Sequence, residues 1–220
     1  MTSLKKIIIY GASYGDIIKL IDAINRAEPS WTVVGFIDDT RELRGKSFMG
    51  YEILGGRELI PDLALDEDVY WFNNVNGSRD ANEKIAGILD SYHCKLANLV
   101  HPSIDMNYVS IGRGCIIPDG CVIGANVTLG DFVTLRYGSV LSHDVEIGDF
   151  VLIGPGVTVG GRARIERGCL IGASATILLE TAIGENSTVG AGTVVIRDVS
   201  ACTTVAGVPG REIKREQGGN

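Results

Sequence analysis

Among the residues able to do acid–base chemistry, one adjacent pair stands apart: His143-Asp144, inside LSHDVEIGDF (residues 141–150). Histidine, with a reference pKa of about 6.5, accepts and returns protons near neutral pH. A carboxylate beside it fixes the ring tautomer and favours the imidazolium. The pair is therefore a candidate general base with its orienting acid. A solvated corner histidine is the plainer alternative. The other two histidines, His93 and His101, precede the repeat region in which His143 lies.

That region must position the pair, and its pattern is regular. Stepping by six from Ile111 meets Ile117, Ile123, Leu129, Leu135, Leu141 and so on to Val195, fifteen aliphatic residues without an insertion. Glycine follows in nine of the fifteen blocks, from Gly112 to Gly190; at Leu141 the slot is Ser142. Four residues after each aliphatic comes a smaller residue, among them Cys115, Cys121, Val127, Val145, Ala163 and Cys169. The fifth residue of one block and the first of the next are two apart, so on a short strand they face the same way. Large and small inward residues alternate, and the glycines are expected where the chain turns. Short strands with regular corners read as a β-helix, at three sides per coil about five coils. One coil of eighteen residues after His143 lies Gly161, which is expected beside the histidine. Cys115, Cys121 and Cys169 are expected as core filler.

The first hundred residues follow another pattern. KKIIIYG (Lys5 to Gly11) reads as a buried strand ending in a glycine turn. Asp16 to Ala27 places Ile17, Leu20, Ile21 and Ile24 at helical spacing. Thr32 to Asp39 reads as a second strand, Val69 to Phe72, before NNVNGS, as a third, and Arg79 to Ser91 as another helix. This order suggests a small, Rossmann-like parallel sheet. The loop GASYGD (Gly11 to Asp16) resembles a phosphate cradle, though it is not GxGxxG. Asp38 and Asp39 end a strand, where a carboxylate meets a ribose or base edge or merely solvates the strand end. An NAD enzyme is a second reading of this half. The expected domains are 1–100 and 101–220.

Bulk properties narrow the classes. The 29 glycines among 220 residues are about twice the usual share, without the triplet period of collagen. A net charge of −7 without a basic cluster argues against nucleic acid or an anionic membrane as partner. The first apolar run is too short for a signal peptide or membrane span, so a cytoplasmic location is expected. Five cysteines without CxxC pairs speak against a disulfide framework or structural zinc.

The six-residue period resembles that of the hexapeptide-repeat acyltransferases, which implies a left-handed parallel β-helix and a homotrimer with active sites between prisms. IYGAS, GFIDD, LVHPS, the repeats with SHD, and AGVPG (Ala206 to Gly210) together resemble a narrower family, the bacterial nucleotide-sugar N-acetyltransferases, with a layout shared by sialic-acid O-acetyltransferase-like proteins. The resemblance implies transfer of acetyl from acetyl-CoA to the 4-amino group of a nucleotide-linked 4-amino-4,6-dideoxy sugar, with UDP as the expected nucleotide and no metal. By position, His143 is then the base and Asp144 its orienter. Gly161 offers a backbone N–H to the thioester carbonyl, and Ala173 and Ala191 line the CoA groove. Gly11, Ala12, Ser13, Asp38, Asp39, Asn73 and Asn74 hold the nucleotide sugar. Where relatives often carry asparagine, this chain has Arg136-Tyr137. An arginine there grips a carboxylate or phosphate, or covers the prism surface. Sugar O-acetylation and a non-catalytic, nucleotide-binding trimeric scaffold are the alternatives. A metal hydratase of the carbonic-anhydrase type would need three histidine ligands, and the array offers one.

Overall fold

A computed structural model describes residues 4–75 and 78–215; Asn76 and Gly77 of NNVNGS lie outside the described residues. The chain divides into two compact units, Met1–Leu99 and Val100–Asn220.

The first unit is built on one sheet. Its strands are β1 (Lys5–Tyr10), β2 (Trp31–Ile37), β3 (Ser47–Phe48), β4 (Tyr51–Gly55), β5 (Val69–Asn73) and β6 (Lys95–Leu96), in the order β3-β4-β2-β1-β5-β6. All neighbours pair in parallel except β3 with β4. β1 is central, and its unbroken Ile7-Ile8-Ile9 run is fully buried, as a parallel strand covered on both faces requires. Helix α1 (Asp16–Ala27) follows β1 and buries Ile17, Ile18, Leu20 and Ile21. A single turn, α2 (Ile60–Leu63), precedes β5, and α3 (Arg79–Ser91) follows it. Ser78 caps α3 by accepting from the Ala81 N–H at 3.2 Å. Because the chain leaves β1 to one side for β2 and later returns to the other for β5, the sheet has a switch point at the carboxyl ends of β1 and β5. In open α/β sheets such a point is the ligand crevice.

Both long helices and the three main strands match the sequence pattern. The β3–β4 hairpin does not appear in it. Its two-residue turn is Met49-Gly50, with φ of 51° and 86°, a pair of positive angles usually signalled by Asn-Gly or Asp-Gly. β6, at two residues, is too short to show a period.

The second unit is a left-handed parallel β-helix. Two-residue strands pair eighteen residues apart, for example Leu135↔Ile153, Leu129↔Ile147 and Leu141↔Val159. Three faces result; those through Leu129 and Leu141 have five strands each. The large and small inward positions form one continuous core, with Cys115, Cys121 and Cys169 inside it. The last coil is shorter: Ile183 bridges to Val199, sixteen residues on, and Asp198 Oδ1 accepts the Ala182 N–H at 2.8 Å. The end is finished by Thr203–Ala206 and the antiparallel strand Arg211–Arg215.

The role expected for the glycines needs correction. Those after each large aliphatic do not carry the left-handed turn. That conformation recurs two residues later, at Gly114, Gly120, Asn126, Phe132, Gly138, Asp144, Phe150, Gly156, Arg162 and onward every six residues. The post-aliphatic glycines answer to crowding. A Cβ on Gly130, Gly148, Gly160 or Gly172 would lie 2.5–2.7 Å from the backbone nitrogen of the next coil. Glycine is there because the coils stack backbone against backbone.

Candidate active site

One prism edge carries the His143-Asp144 pair. Asp144 occupies the left-handed corner position with φ 58°, a conformation that a short polar side chain tolerates better than most. Its N–H donates to the Ala125 carbonyl at 3.0 Å, and the His143 carbonyl accepts from the Arg162 N–H at 3.0 Å. The backbone of the pair is thus held from the coil on either side. Ser142, in the slot that is glycine elsewhere, likewise donates its N–H to the Val159 carbonyl at 3.0 Å.

The side chains form a dyad. His143 Nδ1 lies 2.7 Å from Asp144 Oδ2. The carboxylate accepts there from an Nδ1–H, which leaves Nε2 as the basic nitrogen. The other carboxylate oxygen accepts from Asn126 Nδ2 at 3.1 Å. Hydrogen bonds, first from His143 and then from Asn126, hold the Asp144 carboxyl below the usual aspartate range. Both dyad side chains are about half exposed, His143 at 54% and Asp144 at 44%. Asn126 is absent from the sequence reading. Its signal was the register: it lies eighteen residues before Asp144, at the same corner position one coil earlier.

Gly161 falls where the eighteen-residue spacing put it. A Cβ placed on it would lie 2.7 Å from His143 Nε2 and 2.8 Å from Cε1. Only a residue without a side chain lets the imidazole settle over this backbone. Gly161 is buried, and its N–H makes no hydrogen bond among the described residues. The same edge continues with Leu178 and the exposed Leu179, then Arg197. A cavity of about 410 Å³ at the C-terminal end of the prism is lined in part by Arg197, Asp198, Arg211 and Glu212.

Arg136, Ala173 and Ala191 lie on the adjacent edge. A Cβ on Gly154 would lie 2.8 Å from Ala173 N and one on Gly172 would lie 2.6 Å from Ala191 N, so the two alanines stack coil on coil. Strands Val140–Leu141, Thr158–Val159 and Thr176–Ile177 separate this edge from that of His143. Within one chain, therefore, the histidine and the alanines are not brought together.

In the first unit, the residues expected at the nucleotide crevice do converge, but mostly on one another. Gly11 turns with φ 101° after β1. The Ala12 N–H donates to Asp38 Oδ2 at 2.9 Å, and the other Asp38 oxygen accepts from the Thr40 N–H. Buried Asn74 donates to the Gly11 and Tyr14 carbonyls, tying the loop after β5 to the loop after β1. Asn73 donates to Asn82 and accepts from the Val75 N–H. Asp39 accepts from Tyr10 Oη at 2.7 Å and from the Arg57 guanidinium and backbone. Burial opposes ionisation of Asp39, but the bonds from Arg57 and Tyr10 outweigh it and bring its carboxyl down to about 2. Burial, reinforced by Asp39, pushes the Tyr10 phenol up. Arg57, also missed, has no sequence signal beyond its following Gly55-Gly56. Ser13 is exposed. No cluster of three His, Cys, Asp or Glu able to hold a metal occurs among the described residues, nor is any helix long and apolar enough to cross a membrane.

Residues 108–143 and 144–178 match the family described as bacterial transferase hexapeptide (six repeats), and residues 162–197 match the hexapeptide repeat of succinyl-transferase. Residues 108–197 thus carry the hexapeptide repeat of bacterial transferases. Among curated proteins no sequence matches the chain. Among solved structures, it is similar to the acetyltransferase domain of PglB from Neisseria gonorrhoeae in complex with acetyl coenzyme A. The identity is 25% and the TM-score 0.83, covering 96% of this chain and 100% of that one. It shares the fold of a GDP-perosamine N-acetyltransferase from Caulobacter crescentus, solved as a histidine-to-alanine variant with CoA and GDP-perosamine. That likeness is 24% in identity with a TM-score of 0.86, over 96% and 98% of the two chains.

Proposed function

We propose that this hexapeptide-repeat acyltransferase moves an acetyl group from acetyl-CoA to the 4-amino group of a nucleoside-diphosphate-linked 4-amino-6-deoxy sugar. The observation that carries the reading is the dyad over Gly161: a basic Nε2 beside the backbone of a buried glycine whose N–H has no partner among the described residues. These two groups meet the two needs of acyl transfer. As the neutral amine attacks the thioester carbon, a C–N bond forms and negative charge gathers on the carbonyl oxygen. The Gly161 N–H, which has no partner among the described residues, stabilises that charge. His143 Nε2 takes the proton shed by the amine, and Asp144 stabilises the resulting imidazolium. When the C–S bond breaks, the imidazolium returns the proton to the departing thiolate, so the base is restored.

The rest of the edge suits the long co-substrate. Coils stack at about 4.8 Å, so Arg197, three coils above His143, lies about 14 Å along the prism. Between them, bare Gly161 and apolar Leu178 and Leu179 suit an extended pantetheine arm, and Arg197 and Arg211 offer cations to its phosphates. Ala173, Ala191 and Arg136, on the adjacent edge, join His143 in one site when a second copy's edge meets the first, which is the case for a homotrimer. The Gly11 loop and Asn73-Asn74 at the switch point supply the nucleotide crevice, with Ser13 exposed to the ligand. Asp38 and Asp39, both engaged internally, shape that crevice and meet a ribose only through their remaining lone pairs. A cytoplasmic site of action fits these soluble co-substrates.

The test incubates the protein and His143→Ala with acetyl-CoA and UDP-, GDP- and dTDP-linked 4-amino-6-deoxy sugars, reading acetylated sugar by mass spectrometry. Product from one nucleotide class, reduced about 100-fold or more in the variant, is the expected result. Undiminished product in His143→Ala removes the dyad from the mechanism. No product from any amine, with acetyl-CoA bound, turns the reading to hydroxyl acceptors and O-acetylation.

A further inference from the structure

The corner positions beyond Asp144 pose a question of competition. Asn126, Asp144, Arg162 and Glu180 are eighteen residues apart and all adopt positive φ, so they form one ladder up the edge that bears the dyad. Arg162 sits between two carboxylates, Asp144 one coil below and Glu180 one coil above. It pairs with Glu180, Nη2 at 2.7 Å and Nε at 2.9 Å from Oε1. Elsewhere on the prism, an arginine one coil above a carboxylate pairs downward. Arg164 reaches Glu146 at 3.4 Å, and Arg167 reaches Asp149 at 3.7 Å. The downward reach from Arg162 to Asp144 has the same register and the same residue types. Were it made, the guanidinium would take carboxylate oxygens that now serve His143 and Asn126.

We infer that Glu180 is a positioning residue for the base: by drawing Arg162 upward it keeps the Asp144 carboxylate on His143 Nδ1. The inference rests on the reading of His143 as base for its effect on catalysis, but not for its effect on the ring. Of the charged groups, His143 and Arg162 act on Asp144 directly, and Glu180 stands behind Arg162. One consequence follows from losing Glu180: Arg162 competes for Asp144, so the fraction of molecules with an intact dyad falls.

The experiment compares the full-length protein with Glu180→Ala, Glu180→Gln and the double variant Glu180→Ala/Arg162→Ala. The first readout is the ring-nitrogen NMR shifts of His143, which report its tautomer, assigned among three histidines by the loss of one signal in His143→Ala. The second is the pH profile of kcat, with KM for acetyl-CoA beside it. An exposed pair redirects its partners by about two- to fivefold. Both single variants should therefore lower kcat by that factor at neutral pH. They should also weaken the ring's preference for a proton on Nδ1. Removing Arg162 as well should restore the ring's tautomer, because nothing then competes for Asp144. A ring in Glu180→Ala with the parent's tautomer, or a double variant as perturbed as the single, overturns the inference. The glutamine variant, which keeps the side-chain shape, guards against a merely misfolded edge. Full activity in His143→Ala would refute the catalytic reading, and the ring tautomer would still judge the ladder by itself.

Discussion

Gly161→Ala separates catalysis from stability at a single atom. The backbone at Gly161 lies outside the left-handed region, so alanine is conformationally allowed, and its lower freedom in the unfolded chain favours folding slightly. The new Cβ would stand 2.7, 2.8 and 3.3 Å from Nε2, Cε1 and Cδ2 of His143. Ordinary contact begins at about 3.4 Å, so the ring must retreat by roughly 0.7 Å. It is a half-exposed side chain free to rotate away, and the fold should therefore lose no more than about 0.5 kcal/mol. Catalysis has no such freedom. A displacement approaching 1 Å costs on the order of 100-fold when a reacting group is misplaced. The expected outcome is a kcat 10- to 100-fold lower with an almost unchanged Tm. The control is the adjacent Gly160→Ala, whose Cβ would meet the Leu179 backbone nitrogen at 2.5 Å. That contact has no side chain to yield, so this variant should lose about 1–3 kcal/mol of stability. Steady-state kinetics and thermal unfolding of both variants decide the matter. Full activity in Gly161→Ala would refute the placement of the base.

Other expectations rest on separate parts of the molecule. Asn126→Ala frees one oxygen of Asp144 and should lower kcat about two- to tenfold without altering the unfolding midpoint by more than a few degrees. Asp39, at about 2 when folded against about 3.9 unfolded, contributes stability that is present above pH 4 and lost as pH falls towards 2. Arg57→Ala should remove about 1 kcal/mol of it at neutral pH, after allowance for solvent screening, and flatten the dependence between pH 4 and 2 in urea titrations. Native alkylation with iodoacetamide should mark Cys202 alone, because the other four thiols are buried. Burial raises Cys115 to about 12 and Cys94 to about 11, and peptide mapping after brief labelling at pH 8 reads the result.

Much of the positioning was legible because a solenoid writes its geometry into its period. Once Ile111 to Val195 recur at six, residues eighteen apart must be neighbours, and this alone places Gly161 against His143 and Cys115 in the core. The purpose of the glycines was not legible. A period records where glycine recurs, not whether φ or crowding demands it, and here the left-handed residue comes two positions later. The Met49-Gly50 turn escaped for a related reason, since its backbone angles are held by the β3–β4 pairing instead of by favoured turn residues.

The sequence by itself determined the two architectures, the long helices and main strands of the first unit, and the coil register of the second. These follow from hydrophobic periodicity, which is local and strong. The tertiary structure decided which of several eligible partners each polar side chain took. Asp144 bonds His143 and Asn126 with Arg162 one coil above it, Arg162 stands between two carboxylates, and Asp38 and Asp39 face a backbone loop, a tyrosine and an arginine. Each choice is a small difference between hydrogen bonds of similar strength made across coils or strands. Such differences depend on rotamers and distances fixed by packing, and they leave no pattern along the chain.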